Sequence, residues 1–310
     1  MPNTEFARLP ALSNKIYKEW YPNTVLVQSC DDAFEGEFDL EKREIDIPVY
    51  HDLTIHQTTI KERELKPADI EFIKASTKRV SIDKGRYSHW GETNLGKLID
   101  RLSAADSEVR KKLVRKWAIE AERELAEWVA QLPKKQEIDA PTLLGGDGIL
   151  TKDNVITVLD ILKAQAVAAN MEPADFKLFA SEKFETVLRD AKLTGYGGDN
   201  LDANEAFRAG FVAYANGVDV RKIQVASITE RNATSKLVEA EWAVWKTQDG
   251  IQYVIPYKNT VNYDITPDKV LMGGKAYQTV EYYDFFNLYP KRLYKVKLRY
   301  VADKNPPTSF

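Results

Sequence analysis

The sequence predicts an α+β fold, and three observations carry that prediction. Apolar residues fall on alternate positions from Ile45 onward, one unusually long helical repeat covers Ala104 to Leu132, and strand-like runs dominate the last hundred residues. At 310 residues and 44% apolar content, the chain can fill a core of one large domain or two ordinary ones.

The first 40 or so residues mix turn formers with short apolar pieces and the acidic patch Asp31, Asp32, Glu35, Glu37, Asp39 and Glu41, which makes a poor core and reads as an arm. The ligand order of a calcium loop around a fixed glycine is missing, so the patch reads as a solvated acidic stretch. From Ile45 the run Ile45, Ile47, Val49, Leu53 and Ile55 alternates with Glu44, Asp46, Asp52 and Thr54, as a strand with one buried face does. Further alternating pieces carry Ile70 and Phe72, then Val80 and Ile82, beyond the charged stretch Lys61 to Asp69. Together they describe a long two-stranded excursion with a charged tip. Such a hairpin is marginal in water and needs something outside itself to rest on.

Over Ala104 to Leu132 the residues Val109, Leu113, Trp117, Ala121, Leu125, Trp128, Val129 and Leu132 recur at spacings of three and four, an amphipathic helix that Pro133 stops. At 1.5 Å per residue it spans roughly 40 Å. Its other face, Arg110, Lys111, Lys112, Arg115 and Lys116 and then Glu120, Glu122, Arg123, Glu124 and Glu127, is basic first and acidic last. That order opposes the helix dipole, so packing must hold the helix. The glycine-rich stretch Leu143 to Val158 follows. It fails as a phosphate loop because Thr151 precedes Lys152 and both come too late, while Asp147 would put a negative charge in the cradle; it reads as a hinge. Thr151 is the expected cap of a second helix buried through Val155, Val158, Leu159, Leu162 and Ala166. A short strand at Phe176 to Ala180 and a third helix at Ser181 to Ala191 come next, then strands in AFRAGFVAYA, RKIQVASI, LVEAEWAVWK, GIQYVIPY and RLYKVKLRYV.

Chemistry is sparse. A net charge of -3, from 44 basic and 47 acidic residues, gives no overall pull toward nucleic acid. Cys30 is the only cysteine, which excludes an intrachain disulfide and fits a reducing compartment. His51 and His56 lie five apart on a predicted strand and so face opposite ways, which removes them as a metal pair. The loop at Gly195, Gly197 and Gly198 has Asn200 where a dinucleotide fingerprint needs glycine. No run is long and apolar enough for a membrane span, and the first residues do not form a signal peptide.

The order of parts resembles the major capsid proteins of tailed bacteriophages, the Hong Kong 97-type coat fold. The stretch ADIEFIKASTKRVSIDKGRYSHWGET is similar to the return strand of that family's extended loop running into its spine helix, for which Ala104 to Leu132 stands. LLGGDG is similar to the glycine turn after the spine, and TKDNVITVLDILKAQAVAAN, FKLFASEKFETVLRD and AGFVAYANGV resemble the axial domain. The resemblance implies an arm over residues 1–40, an extended loop over 41–95, a peripheral domain with the spine helix over 96–140, an axial domain over 141–255, and strands returning to the peripheral domain over 256–310. It implies a non-enzymatic subunit that assembles through pentamers and hexamers into an icosahedral shell, touches double-stranded DNA weakly and non-specifically, and meets scaffolding, portal or decoration proteins. No cofactor, metal, catalytic residue or membrane is implied, and the location is the virion after assembly in the host cytoplasm. Lys61, Glu62, Arg63, Glu64, Lys66 and Asp69 at the hairpin tip are the candidate assembly contacts. The alternatives are an encapsulin-like nanocompartment, an enzyme with an unrecognised active site, and a cell-surface or tail-structure protein.

Overall fold

The computed structural model describes residues 7–8, 18–19, 24–31, 44–50, 75–93, 108–193, 211–231, 237–265 and 274–301. Its class is mixed α+β. Strands β1 (Ala7–Arg8), β2 (Glu44–Tyr50), β3 (Ala75–Ser81) and β4 (Lys84–Thr93) precede helix α1 (Glu108–Ala130). Then come β5 (Glu137–Asp139), α2 (Ala140–Leu144), α3 (Val155–Ala168), β6 (Lys177–Ala180) and α4 (Glu182–Asp190). The rest is strand: β7 (Phe211–Ala215), β8 (Val218–Lys222), β9 (Ser227–Arg231), β10 (Leu237–Lys246), β11 (Gln252–Ile265), β12 (Gly274–Phe286) and β13 (Leu293–Val301).

Among the described residues a seven-stranded sheet runs β5-β13-β10-β6-β8-β7, with β9 beside the first half of β10. The β13/β5 and β6/β8 pairs are parallel and the others antiparallel. One face lies under α3 and α4. There Val155, Val158, Leu159, Leu162 and Ala166, the residues picked out by helical spacing, are fully buried with Phe176, Trp245 and Val296. The Ser181 hydroxyl caps α4 by accepting the Lys183 N–H at 3.1 Å. The opposite face meets α1, where Phe179, Val244 and Leu293 pack with Trp117, Ala121, Leu125 and Val129. Covered on both faces, β10 loses its alternation, and Ala243 to Lys246 are all buried.

A four-stranded antiparallel sheet, β1-β11-β12-β4, packs its inner face on the other flank of α1. Residues 256–310, expected as one returning group, therefore feed two sheets, because β13 joins the larger one. β2 and β3 pair antiparallel over their full lengths, from Glu44 opposite Ser81 to Tyr50 opposite Ala75.

Four sequence expectations need correction. Of the expected long helix the structure describes 23 residues, about 35 Å, and residues 104–107 lie outside the described set. The Thr151 side chain does not cap α3; Asn154 flanks the helix, and its amide oxygen accepts the Thr151 N–H at 2.7 Å while its NH2 donates to the Ile149 carbonyl at 2.8 Å. RKIQVASI is not one strand, since Ile223 to Ala226 break it between β8 and β9. And β12, 13 residues long, had no counterpart in the sequence reading. The glycine stretch is a turn, as expected: the Gly148 N–H donates to the Gly145 carbonyl at 3.0 Å, and Gly145, Gly146 and Gly148 have φ of 71°, 58° and 62°.

Candidate functional site

The expected contacts Lys61, Glu62, Arg63, Glu64, Lys66 and Asp69 lie outside the described residues. The described strands on either side of them, β2 and β3, are fastened to the body. Ile45 of β2, and Val80 and Ile82 at the end of β3, pack with Val254, Phe286 and Leu288 where β11 begins and β12 ends. Arg79 pairs with Glu44 across the two strands at 3.6 Å. The chain then turns at Asp83, whose N–H donates to the Asp284 carboxylate at 3.3 Å, and Lys84 pairs with the same carboxylate at 3.8 Å.

One turn further on, Arg86 ties β4 to α1. Its guanidinium donates to the Trp117 carbonyl at 3.3 Å and the Tyr253 hydroxyl at 3.3 Å, reaches Glu124 at 3.5 Å and Glu281 at 3.8 Å, and lies 4.0 Å over the Tyr283 ring. Burial pulls its pKa down, but Tyr253, Glu281, Tyr283 and Glu124 outweigh burial and hold it above the ordinary arginine value. The Tyr283 hydroxyl donates to Glu124; burial, opposed in part by Arg86 and reinforced by Glu124, raises that phenol's pKa. Glu124 belonged to the expected solvent face of the helix, and the structure turns it inward.

Glu122, from the same expected face, does more. Its Oε1 accepts the N–H of Val25, of Leu26 at 2.8 Å and of Val27 at 3.2 Å, so the helix holds the turn at 24–31 by its exposed amide donors. Leu26 and Val27 are fully buried in the α1 core, and Cys30 is buried beside them. This part of the expected arm is thus core. From the other side the wholly buried Lys246 ammonium donates to the carbonyls of Ser29 and Thr247. Asp31 then runs parallel to β11, donating to the Ile251 carbonyl at 2.9 Å and accepting from the Tyr253 N–H at 3.0 Å. Burial raises the Glu122 pKa to about 7 against the pull of the three N–H groups and Lys246, and burial lowers that of Lys246 to about 8.

The outer face of the four-stranded sheet reverses the usual placement. Arg86, Lys258 and Glu281 share the inward side with Thr260 and Thr279, while the outward side carries Tyr87 and His89, Tyr257, Asn259 and Val261, and Gln278, Val280 and Tyr282. None of these outward residues is an acid, lysine or arginine. Tyr87 is 69% exposed, and the Tyr257 and Tyr282 rings lie 5.4 Å apart. Among the described residues no group of three or more His, Cys, Asp and Glu is arranged to hold a metal ion, and no helix is long and apolar enough to cross a membrane.

No protein-family model and no curated protein sequence matches the chain. Solved structures do. The capsid of Ralstonia phage GP4 matches with a TM-score of 0.62 and 11% identity, over 90% of this chain and 88% of that one. The capsid of the cyanophage P-SCSP1u matches at 0.55 and 13%, over 86% of each chain. The chain has a phage-capsid fold. A virus-like particle from Pyrococcus furiosus matches at 0.51 and 11%, over 93% of this chain and 98% of that one. The likeness covers between 86% and 93% of this chain. In this setting the inward charges of Arg86, Glu122, Glu124 and Lys246 are internal fasteners: they hold β4 and the 24–31 turn against the helix that both sheets share.

Proposed function

We propose that the chain is a major capsid protein of the tailed-bacteriophage type, a subunit that self-assembles through pentamers and hexamers into an icosahedral shell enclosing double-stranded DNA. The observation that carries this is the likeness to phage capsids, with a TM-score of 0.62 over about nine-tenths of both chains for the Ralstonia phage capsid. Under this reading α1 is the spine helix of a peripheral domain over residues 96–140, and β2 with β3 is the root of an extended loop over 41–95. Residues 1–40 are an arm fastened by Glu122 and Lys246, residues 141–255 are an axial domain, and 256–310 return toward the peripheral domain with β13 crossing into the axial sheet. The chemistry is contact, not catalysis. A root that packs through a few apolar side chains, and an uncharged tyrosine face, both gain by burial against neighbouring copies. Contacts of this sort are heterologous and close into rings, and many weak ones add up. A net charge of -3 suits a wall that surrounds DNA without clinging to it. DNA contact is weak and non-specific, and scaffolding, portal or decoration proteins complete the particle in the host cytoplasm.

Electron microscopy of the purified protein together with its sedimentation profile tests the proposal. Closed shells, or rings of five and six subunits, are expected. A monodisperse 35.3 kDa monomer that stays small under crowding would overturn it. A second reading is an encapsulin-like shell that encloses an enzyme; the likeness to the Pyrococcus furiosus virus-like particle fits a shell with either content. Nucleic acid within purified shells favours the first reading and a co-purifying enzyme the second.

A further inference from the structure

A groove of about 690 Å³ runs beside the first half of α1, between that helix, the 24–31 turn and the residues that follow β8. Its floor is apolar, built from Val25, Val114, Ala118 and Ile223, and Ile119 stands at its lip, 47% exposed. On the helix side Arg115 and Lys111 line it, and the exposed Lys112 and Lys116 share the same two turns. Lys222 on the far wall pairs with Glu182 at 3.4 Å and Glu185 at 3.1 Å, and Glu122 at the base holds the 24–31 amides. Glu19 is the remaining acid of the lining. An apolar trough with a basic helix along one side suits a peptide that is both apolar and acidic.

The chain contains such a peptide. Residues 32–41 read DAFEGEFDLE, with Phe34, Phe38 and Leu40 set among five acids and no base. In its own chain this stretch begins after Asp31, fastened at Gln252, and ends before Glu44, whose neighbour Ile45 packs on Val254; neither fastening point lines the groove. We infer that the groove beside α1 receives residues 32–41 of a second copy, with Phe34 and Phe38 on the apolar floor and their flanking carboxylates against Arg115 and Lys111. The inference rests on the shell reading, which supplies the second copy, and gives that reading one specific contact between subunits.

A fluorescent peptide of residues 31–42, titrated into the unassembled full-length chain and read by anisotropy, tests the fit. Binding that weakens with salt is expected. Arg115→Glu should weaken it about tenfold, and replacing both phenylalanines of the peptide by serine should weaken it comparably. Lys152→Glu, an exposed change away from the groove, should leave it as it was. Equal binding of a scrambled peptide, or unchanged binding to Arg115→Glu, would overturn the inference. So would displacement of the peptide by duplex DNA combined with indifference to the phenylalanines, which would make the groove a polyanion site. Source is decided by co-expressing two tagged chains, one with Ile119→Cys and one with Phe38→Cys, under mild oxidation by oxidised glutathione. A disulfide between differently tagged chains is expected, and one formed only within a doubly substituted chain would replace the second copy by the chain's own segment. Wild-type shells without groove binding would remove this inference and leave the shell; groove binding without shells would do the reverse.

Discussion

Glu122 and Lys246 are the residues on which the 24–31 turn depends, and their titrations run in opposite directions. With its folded pKa raised to about 7 from an ordinary 4.5, Glu122 stabilises the fold fully below pH 4.5 and loses that contribution as pH rises through 7. Lys246, lowered to about 8 from 10.5, contributes fully above 10.5 and loses its contribution as pH falls through 8. Stability from this pair therefore passes through a minimum between about pH 7 and 8. Urea midpoints measured from pH 5 to 10 should show the trough; Glu122→Gln should remove its falling limb and Lys246→Met its rising limb. Glu122→Ala should cost about 3 kcal/mol by stranding three amide donors, and hydrogen exchange should show faster exchange at Val25, Leu26 and Val27 than elsewhere. Trp117, 7% exposed, is a better anchor of α1 than Trp128, which is only half-buried with its ring 6.0 Å from Phe285. Trp117→Ala should cost about 3 to 5 kcal/mol and Trp128→Ala distinctly less, by denaturant titration.

At the scale of elements, the glycine turn separates two reasons for glycine. A Cβ on Gly148 would meet Pro141 at 2.8 Å at a φ of 62°, whereas one on Gly145, φ 71°, meets nothing within 4 Å. Gly145→Ala should cost about 1 to 2 kcal/mol from backbone strain alone, and Gly148→Ala should cost clearly more because α2 must shift; thermal midpoints of the two variants check the order. Helices α1, α3 and α4 were legible in the sequence because each buries one apolar stripe at spacings of three and four; the five-residue α2 was not. β12 was not, because its buried side reads Thr279, Glu281, Tyr283 and Phe285, where polar groups interrupt the alternation that marks a strand. The inward roles of Glu122 and Glu124 were hidden for a related reason. Their partners lie far along the chain, in the turn at 25–27, at Arg86 and at Tyr283, and helical spacing alone assigned both to solvent. The uncharged row of Tyr87, Tyr257 and Tyr282 draws on three strands whose register only pairing reveals.

At the scale of the whole molecule, the hairpin and the body separate cleanly in their expected roles. Ile45, Val80 and Ile82 fasten β2 and β3 to Val254, Phe286 and Leu288 of the body. Deleting Lys61 to Asp69 should therefore leave a folded subunit with a normal denaturation midpoint and block shell formation; normal shells by microscopy would end the assignment of the tip to assembly. The larger sheet carries a different consequence, one of timing. β13 sits inside that sheet between β10 and β5, so β5, the strand made earliest in it, joins the others only through residues 293–301, the last to be made. A nascent chain must be synthesised past Val301 before that sheet can close. Half-made subunits therefore present an unfinished surface, and on the shell reading their entry into a growing particle waits until this region has been translated.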